Sequence, residues 1–406
     1  MLGLALEGGG AKGAFHMGAV KAFLDEGYKF DGVVGTSIGA LNGAMIVQGD
    51  FELGYNWWKE MDASLLFDIE KAQIQKFATK KIDKERLIYL SSKIKGIIEN
   101  RGIDTKKIRE TLNGIINEEK IRESKIDFGI VTVSVSDLKP FELYKDDIPC
   151  GKMVDYLMAS ANLPVFKIEP LEGKFYIDGC FYDNCPINLL IRKGYREVIA
   201  IRTLAMGISR KIEDKNVKII NIVPSEDLGK VFDFDNNLIQ SNLKMGYCDA
   251  MRVIKGLNGK KYYIVPIADD DLFFYSLLSI PEEVIYYVGK IMNLHKMQPK
   301  RMLFEKIIPS LSHTLGLSFN ATYQDIIIGI LECIAEKRGI ERYKIWDFIS
   351  FLKEIKSIDV EKKSTFSSSI LKIKEKTKLS SVFFKKDILI EISEKLIEVI
   401  KIEQFD

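Results

Sequence analysis

The chain has 406 residues, 47% of them hydrophobic and 29% charged, and a formal net charge of +2. That length allows a full core and predicts two domains, while the near balance of charge argues against a nucleic-acid partner. The five cysteines show no C-x-x-C spacing, so we expect reduced thiols in a cytosolic protein. We also expect no export signal and no transmembrane helix, because no basic leader and no apolar stretch of roughly 18 residues is present.

The first 50 residues alternate between strand and helix signals. Residues 2–6 predict a short buried strand, and after a glycine-rich loop residues 13–25 predict a helix. Val33 and Val34 lead into a second turn, after which Ile38–Gln48 predict an apolar helix. This alternation is typical of an α/β layered domain with a largely parallel sheet.

The middle of the chain predicts a helical insertion followed by further strands. Residues 51–127 are rich in lysine and glutamate with helical periodicity, including a predicted helix Lys106–Ile116 behind a Thr105 cap. A series of short apolar segments then predicts strands at Phe128–Val135, Phe141–Tyr144, Phe175–Ile177, Val198–Arg202, Ile219–Val223 and Tyr262–Val265.

From about residue 275 the pattern becomes mostly helical. The predicted helices are 281–294, 322–337, 342–356 and 387–401, with a flexible joint at 361–369. The predicted domains are therefore 1–270, which includes the insertion at about 51–127, and a helical extension, 275–406.

Ser37 lies in the segment Gly35-Thr36-Ser37-Ile38-Gly39, where a strand pattern ends and a helical one begins. This G-x-S-x-G pattern presents a serine nucleophile on a sharp turn, and its glycines Gly35 and Gly39 leave space that a Cβ would fill. The alternative is a glycine-rich turn with an idle serine.

The loop Gly8-Gly9-Gly10-Ala11-Lys12-Gly13 follows the first predicted strand. Acyl transfer builds negative charge on the carbonyl oxygen, and glycines let several backbone N–H groups converge on it at a helix N-terminus. The loop also fits the dinucleotide fingerprint G-x-G-x-x-G, with Asp31 as the acid for a ribose. We rank that alternative lower, because it leaves Ser37 unexplained and Asp31 precedes the second strand.

A serine nucleophile needs a base. The three histidines are His16, His295 and His313, and none lies in a motif that suits a triad. A poorly solvated carboxylate can replace histidine. Asp178 ends a predicted strand and precedes Gly179, which permits a tight turn, although an aspartate there is often only a turn residue.

The ordered set of Gly8–Gly13, Gly35–Gly39 and Asp178-Gly179 resembles the patatin-like phospholipases. The stretch Ala159–Phe166, the stretch Tyr176–Gly179, and then Asn184 and Pro186, are also similar to that family's pattern. The resemblance covers about residues 1–205, weakens to about 268 and is absent afterwards. It implies a three-layer α/β hydrolase fold with a largely parallel central sheet.

The resemblance also implies roles for single residues. Ser37 is the implied nucleophile, Asp178 the base, and the amides of Gly8, Gly9 and Gly10 the oxyanion hole. Residues implied to support the motifs are Lys12, Gly13, Gly35, Gly39 and Gly179. No metal and no cofactor is required. One departure is Cys180, where the family usually has glycine or alanine.

The implied activity is that of a lipid acyl hydrolase acting on phospholipid or another acyl lipid. Alternatives are an acyl transferase or thioesterase with the same Ser-Asp dyad, and, ranked lower, a Rossmann-type nucleotide-binding protein. The expected location is the cytoplasm, with transient contact at the inner face of the membrane, and the oligomeric state stays open. Leu and Ile faces such as Ile388–Ile400 predict that residues 361–406 help to bind lipid, the alternative being that they cover a core.

Overall fold

The computed structural model describes residues 1–61, 102–294, 297–358 and 381–405. The chain divides into two compact units, Met1–Ile254 and Lys255–Asp406. The domain boundary predicted at 270–275 lies further along the chain and stays a prediction.

A mostly parallel sheet of seven strands forms the centre of the first unit. The strand order is β4-β3-β2-β1-β6-β7, with β5 paired to β3, and only β4 and β5 run antiparallel to their neighbour. The strands are β1 Leu2–Leu6, β2 Gly32–Thr36, β3 Asp127–Ser134, β4 Lys139–Tyr144, β5 Tyr176–Asp178, β6 Glu197–Ile201 and β7 Lys218–Ile222.

Helices cover both faces of this sheet, which gives the three layers that the sequence predicts. The described helices of the first unit are α1 Ala14–Asp25, α2 Ile38–Val47, α3 Phe51–Lys59, α4 Lys106–Ile115, α5 Glu118–Glu123, α6 Met153–Ser160, α7 Ile187–Arg192 and α8 Asn236–Lys255, which runs to the boundary. Alternate strand residues face opposite layers. Ala5 and Val34 pack with residues of α7, whereas Leu6 and Val33 lie against Gly43 of α2.

Burial explains why β1 and β2 read as continuous apolar runs. Leu4, Ala5 and Leu6 of β1 are wholly inaccessible to solvent, and so are Val33 and Val34 of β2. Strands of a parallel sheet are covered on both faces, so their residues are apolar throughout and do not alternate between polar and apolar as in a half-exposed strand. The carboxyl ends of β1 and β2 lead directly into the glycine loop and the Ser37 turn.

The second unit is mainly helical, as predicted. Its helices are α9 Asp271–Leu278, α10 Glu282–Ile291, α11 Pro299–Met302, α12 Ile308–Thr314, α13 Tyr323–Arg338, α14 Phe348–Ser357 and α15 Ser381–Val399, with a π-helical turn, Leu303–Ile307, between α11 and α12. A two-stranded parallel sheet joins β8 Tyr263–Val265 to β9 Ile345–Asp347. The sequence missed β9, because its three residues lie inside a segment that reads as one helix, 342–356.

Two further details differ from the sequence prediction. Thr105 precedes α4, but its side chain makes no capping hydrogen bond. The Leu and Ile face predicted to bind lipid is instead part of a core: Ile392, Leu396 and Ile400 are at most 3% exposed and belong to the hydrophobic core of the second unit. This finding favours the alternative, that the last helix covers a core. The predicted joint 361–369 lies outside the described residues.

Within the described residues, no helix is both long enough and apolar enough to cross a membrane. None of the five cysteines, all of which are described, forms a disulfide.

Candidate active site

Ser37 occupies a strained turn between β2 and α2. Its backbone has φ 58° and ψ −126°, a conformation that residues other than glycine rarely adopt. The turn is tight because α2 folds back onto the strands: a Cβ on Gly35 would lie 2.3 Å from the backbone of Gly39, and one on Gly39 would lie 2.3 Å from the carbonyl oxygen of Leu6. Only glycine fits at both positions, which is the physical content of the G-x-S-x-G pattern.

A serine from another helix fixes this turn. The Ser37 N–H donates to Oγ of Ser160 at 3.0 Å, and the Ser160 hydroxyl donates to the Val131 carbonyl at 2.7 Å. Ser160 is fully buried at the end of α6. Its hydroxyl therefore connects the serine turn to strand β3.

Strand pairing brings Asp178 to Ser37. One side of β3 pairs with β4, so β2 and β5 share the other side and lie end to end along it. Thr36, the last residue of β2, is opposite Val131, and Asp178, the last residue of β5, is opposite Thr132. The two strands point toward each other, which sets the serine and the carboxylate side by side although 141 positions separate them in sequence.

The Asp178 carboxylate is 1% exposed, and burial raises its pKa from 3.8 to about 6. Hydrogen bonding by Ser37 and by the Cys180 backbone and thiol opposes this shift. Oδ1 accepts from the Cys180 N–H at 2.8 Å, whereas Oδ2 has no partner at ordinary hydrogen-bond geometry in the described structure. Ser37 is near enough to lower the pKa of this carboxylate without forming a regular hydrogen bond with it. The carboxylate can therefore still accept a proton from the side of Ser37.

The glycine loop offers two unused N–H groups, not the three that the resemblance implies. The Gly8 N–H donates to the carbonyl of Asn184 at 2.9 Å, so it is already engaged. For Gly9 and Gly10, no hydrogen bond to a described residue engages the N–H. Gly10 has φ 57° and lines the same cavity as Ser37. The oxyanion hole of Gly8, Gly9 and Gly10 therefore stays a prediction, with Gly9 and Gly10 as the two amides that no described residue engages.

A buried carboxylate that the sequence analysis missed holds this loop. Glu7 is 2% exposed and accepts three hydrogen bonds, from the Arg202 guanidinium at 2.8 Å and from the N–H groups of Thr203 and Leu204 at 2.7 and 2.9 Å. The Thr203 hydroxyl in turn donates to the Gly8 carbonyl at 2.5 Å. The loop after β6 thus supports the loop after β1, where the strand order of the sheet reverses and α/β proteins commonly bind ligands.

The remaining motif residues have simpler surroundings. Lys12 is half-buried, its N–H donates to the Gly9 carbonyl at 3.2 Å, and its ammonium group bonds to none of the described residues. Gly13 and Gly179 are sites of close packing, since a Cβ would lie 2.5 Å from Ile38 and 2.2 Å from the Val131 carbonyl, respectively.

His16, the histidine of the first unit, lies in surroundings that do not suit a catalytic base. His16 is completely buried, its Nδ1 is 3.3 Å from the Asn42 side chain, and burial lowers its pKa to about 3. His313 is in the second unit, and His295 is outside the described residues. No group of three His, Cys, Asp or Glu side chains in the described part of the chain has the arrangement of a metal site.

Asp31 does not suit the nucleotide-binding alternative. Its carboxylate accepts from the Leu2 N–H at 2.6 Å, at the amino end of β1. The glycine loop follows the carboxyl end of the same strand, so the length of β1, roughly 15 Å, separates the two. A ribose held beside the glycine loop cannot reach this acid.

An apolar cavity of about 90 Å³ opens beside Ser37. Its wall is almost entirely hydrocarbon and aromatic, and among the lining residues are Leu41, Trp57, Trp58, Ile108, Leu163, Phe166, Phe232 and Phe234. Trp58 is 1% exposed and donates from Nε1 to the Asn42 side chain at 2.9 Å. Both tryptophans therefore serve the packing of the first unit and the surface of the cavity.

The fold and the site define an α/β protein with a serine on a strand-to-helix turn, a buried carboxylate and a glycine loop at one edge of the sheet. Residues 4–191 match the family model described as patatin-like phospholipase. The chain therefore carries a patatin-like phospholipase domain, as the sequence motifs predict.

Relatives are similar over about half of this chain. The neuropathy target esterase sws of Drosophila melanogaster is 25% identical over 205 residues, which are 49% of this chain and 13% of that protein. The lysophospholipase NTE1 of Mycosarcoma maydis is 30% identical over 203 residues, 49% of this chain and 9% of that protein. This chain thus spans a small part of the length of these relatives.

Two further matches extend beyond the domain. A putative patatin-like phospholipase domain-containing protein of Caenorhabditis elegans is 22% identical over 338 residues, 79% of this chain and 27% of that protein. Among solved structures, VipD from Legionella pneumophila aligns with 98% of this chain and 85% of its own, at 15% identity and a TM-score of 0.39.

Proposed function

We propose that this protein is a serine-dependent lipid acyl hydrolase in which Ser37 and Asp178 form the catalytic dyad. The observation that carries the proposal is the position of a strained serine beside a buried carboxylate at the mouth of an apolar cavity. The patatin-like domain and the names of the similar proteins support a lipid ester as substrate.

The proposed reaction has two halves. In the first, the Ser37 hydroxyl attacks the ester carbonyl while Asp178 accepts its proton, and the same proton then passes to the departing alcohol. In the second, Asp178 takes a proton from water, which attacks the acyl-enzyme; the bond to the Ser37 oxygen then breaks, Asp178 returns the proton to that oxygen, and the fatty acid leaves. A carboxylate of pKa about 6 is ionised at neutral pH and is a stronger base than an exposed aspartate.

Backbone amides stabilise the charge that develops on the carbonyl oxygen. In this proposal the donors are the N–H groups of Gly9 and Gly10, next to the N-terminus of α1. Glu7 and Thr203 are positioning residues, because they hold the loop and do not touch the reacting atoms. The acyl chain lies in the apolar cavity, whose aromatic wall removes it from water.

The same dyad also fits an acyl transferase or thioesterase, because an acyl-enzyme does not dictate its acceptor. In our proposal the protein works in the cytoplasm and meets its lipid by transient contact with the membrane surface.

Hydrolysis of a soluble short-chain nitrophenyl ester tests the proposal, with fatty-acid and acyl-acceptor products identified by mass spectrometry. Ser37→Ala and Asp178→Asn are expected to lose nearly all activity, because the first removes the nucleophile and the second removes the base that activates it. A matched control is Ser136→Ala, a serine of the same unit whose hydroxyl binds the Phe175 N–H. Near wild-type hydrolysis by folded Ser37→Ala contradicts the proposal, and transfer to an alcohol or amine in preference to water favours the transferase.

A further inference from the structure

The segment Ala159–Asn162, which we call the bridging segment, contains the last two residues of α6 and the two that follow. It contacts both members of the dyad. The Ser37 N–H donates to Oγ of Ser160 at 3.0 Å, and the Asp178 N–H donates to the backbone carbonyl of Asn162 at 2.9 Å. The two accepting residues are two positions apart in the chain, so one short segment holds the backbones of both the serine and the carboxylate.

The bond to the Ser37 turn is made by a side chain. Ser37 has a positive φ of 58°, a strained conformation that persists only where its surroundings favour it. Ser160, which accepts from the Ser37 N–H, is completely buried. Its hydroxyl also donates to the Val131 carbonyl at 2.7 Å, so moving its oxygen away from Ser37 breaks a second hydrogen bond. Ser160 therefore favours the backbone conformation that presents the nucleophile.

A second buried hydroxyl connects the bridging segment to the strand that carries the base. Thr132 is completely buried and lies on β3 directly opposite Asp178. Its Oγ1 is 3.1 Å from the Ala159 carbonyl and 2.9 Å from the carbonyl of Ile177, the residue before Asp178. A threonine hydroxyl has one proton, which these two carbonyls share. The shared bond joins the end of α6 to the end of β5.

Strand β5 depends on such contacts because it is short. It has three residues and pairs with β3 along one side, whereas strands commonly have about five or six residues. The Asn162 side chain adds a bond from Nδ2 to the Tyr176 carbonyl at 2.9 Å. The position of Asp178 at the end of this strand is therefore set in part by the bridging segment.

We propose that Ser160 and Thr132 are positioning residues of the dyad. Ser160 sets the conformation of the Ser37 turn, and Thr132 holds the strand of Asp178 against the bridging segment. In this proposal neither hydroxyl touches the substrate or exchanges a proton with it. The inference rests on the proposed function and extends it from the two reacting side chains to the two buried hydroxyls that align them.

The test measures hydrolysis of a soluble nitrophenyl ester by variants of both residues. Ser160→Ala removes the acceptor of the Ser37 N–H, so kcat is expected to fall about 100-fold while KM stays within about twofold, because a displaced nucleophile reacts slowly with an ester that still binds. Thr132→Val keeps the shape of the side chain without the hydroxyl, and kcat is expected to fall about tenfold. Thr132→Ser keeps the hydroxyl, and its kcat is expected to return to within about threefold of the wild type.

The matched control is Ser134→Ala. Ser134 is also completely buried and on β3, and its hydroxyl likewise accepts from an N–H and donates to an oxygen, but both groups belong to Asp137. Its loss is expected to lower Tm and to leave kcat of the folded protein unchanged. An equal fall in kcat for folded Ser134→Ala and Ser160→Ala overturns the proposal, because a general loss of stability then accounts for both.

Amide hydrogen exchange reads the Ser37 turn without a reaction. In Ser160→Ala the Ser37 N–H is expected to exchange about tenfold faster than in the wild type, and in Ser134→Ala at the wild-type rate. A wild-type protein that hydrolyses no ester contradicts the proposed function, and faster exchange at Ser37 in Ser160→Ala still supports the role of Ser160. Wild-type kcat in Ser160→Ala, unchanged exchange at Ser37, or a Thr132→Ser variant as slow as Thr132→Val overturns the positioning proposal while leaving the dyad in place.

Discussion

Asp178→Asn is expected to inactivate the enzyme and to make it more stable, by an amount that depends on pH. Burial raises the pKa of Asp178 from 3.8 to about 6 in the folded protein. Below pH 3.8 the carboxyl is protonated in both the folded and the unfolded chain, and above pH 6 it is ionised in both. Folding must then bury a charge, at a cost of about 3 kcal/mol at 1.36 kcal/mol per pKa unit.

An asparagine has nearly the same shape and no charge, so it removes this cost. The expected gain in the free energy of unfolding is about 3 kcal/mol at pH 8 and about 0.5 kcal/mol at pH 4. For a unit of this size that gain corresponds to a rise in Tm of about 5–10 °C at pH 8. The assay is thermal unfolding of both proteins at pH 4 and pH 8, followed by circular dichroism, with nitrophenyl ester hydrolysis measured on the same samples.

The matched control is Asp183→Asn. Asp183 is also 1% exposed, and burial raises its pKa to about 7, but its Oδ1 accepts from Cys185 and not from a dyad residue. This variant is expected to gain stability at pH 8 and to keep its activity. A lower Tm for Asp178→Asn at pH 8, or the same shift at both pH values, would refute the reasoning that this carboxylate is held in a poorly solvated state.

Three further expectations concern the loop and the source of charge stabilisation. Glu7→Gln leaves Arg202 without its buried carboxylate, so we expect the free energy of unfolding to fall by about 3 kcal/mol and kcat to fall more than KM rises. The control Glu197→Gln, in an exposed pair with Lys218, is expected to change neither stability nor kcat. Wild-type activity of Glu7→Gln would contradict the positioning role of Glu7. Gly9→Val is expected to reduce kcat far more than Lys12→Ala, because its Cβ would lie 2.7 Å from Oγ1 of Thr203; an inactive Lys12→Ala beside an active Gly9→Val would move the oxyanion role elsewhere. Ester hydrolysis should survive exhaustive chelation, because the proposed donors are backbone amides, and a loss restored specifically by calcium would contradict this.

The sequence predicted the parts of the fold that depend on local patterns. The apolar run at residues 2–6 predicts a strand because a strand buried on both faces admits few polar residues. The glycines around Ser37 predict a tight turn because such a turn leaves no space for other side chains. Asp178 was predicted from its place at a strand end before a glycine, together with the family resemblance. Its closeness to Ser37 depends on β2 and β5 sharing one side of β3, which no local pattern contains.

What the sequence missed depends on partners far away along the chain. Glu7 directly follows the predicted strand 2–6, and its buried partners lie 195 to 197 residues later in the chain. The Gly8 N–H donates to the backbone carbonyl of Asn184, a contact that the spacing of residues in the sequence cannot predict. In the same loop Gly10 has the left-handed φ, whereas at Gly9 it is the contact with Thr203 that excludes a side chain.

The identity of the nucleophile is tested most directly by covalent labelling. The wild-type protein and folded Asp178→Asn and Ser37→Ala variants are treated with a fluorophosphonate, and the modified residue is located by peptide mass spectrometry. We expect one adduct per chain, on Ser37, formed rapidly in the wild type, slowly in Asp178→Asn and not at all in Ser37→Ala. Stoichiometric labelling of another residue, or undiminished labelling of Ser37→Ala, would contradict the assignment of Ser37 as the nucleophile.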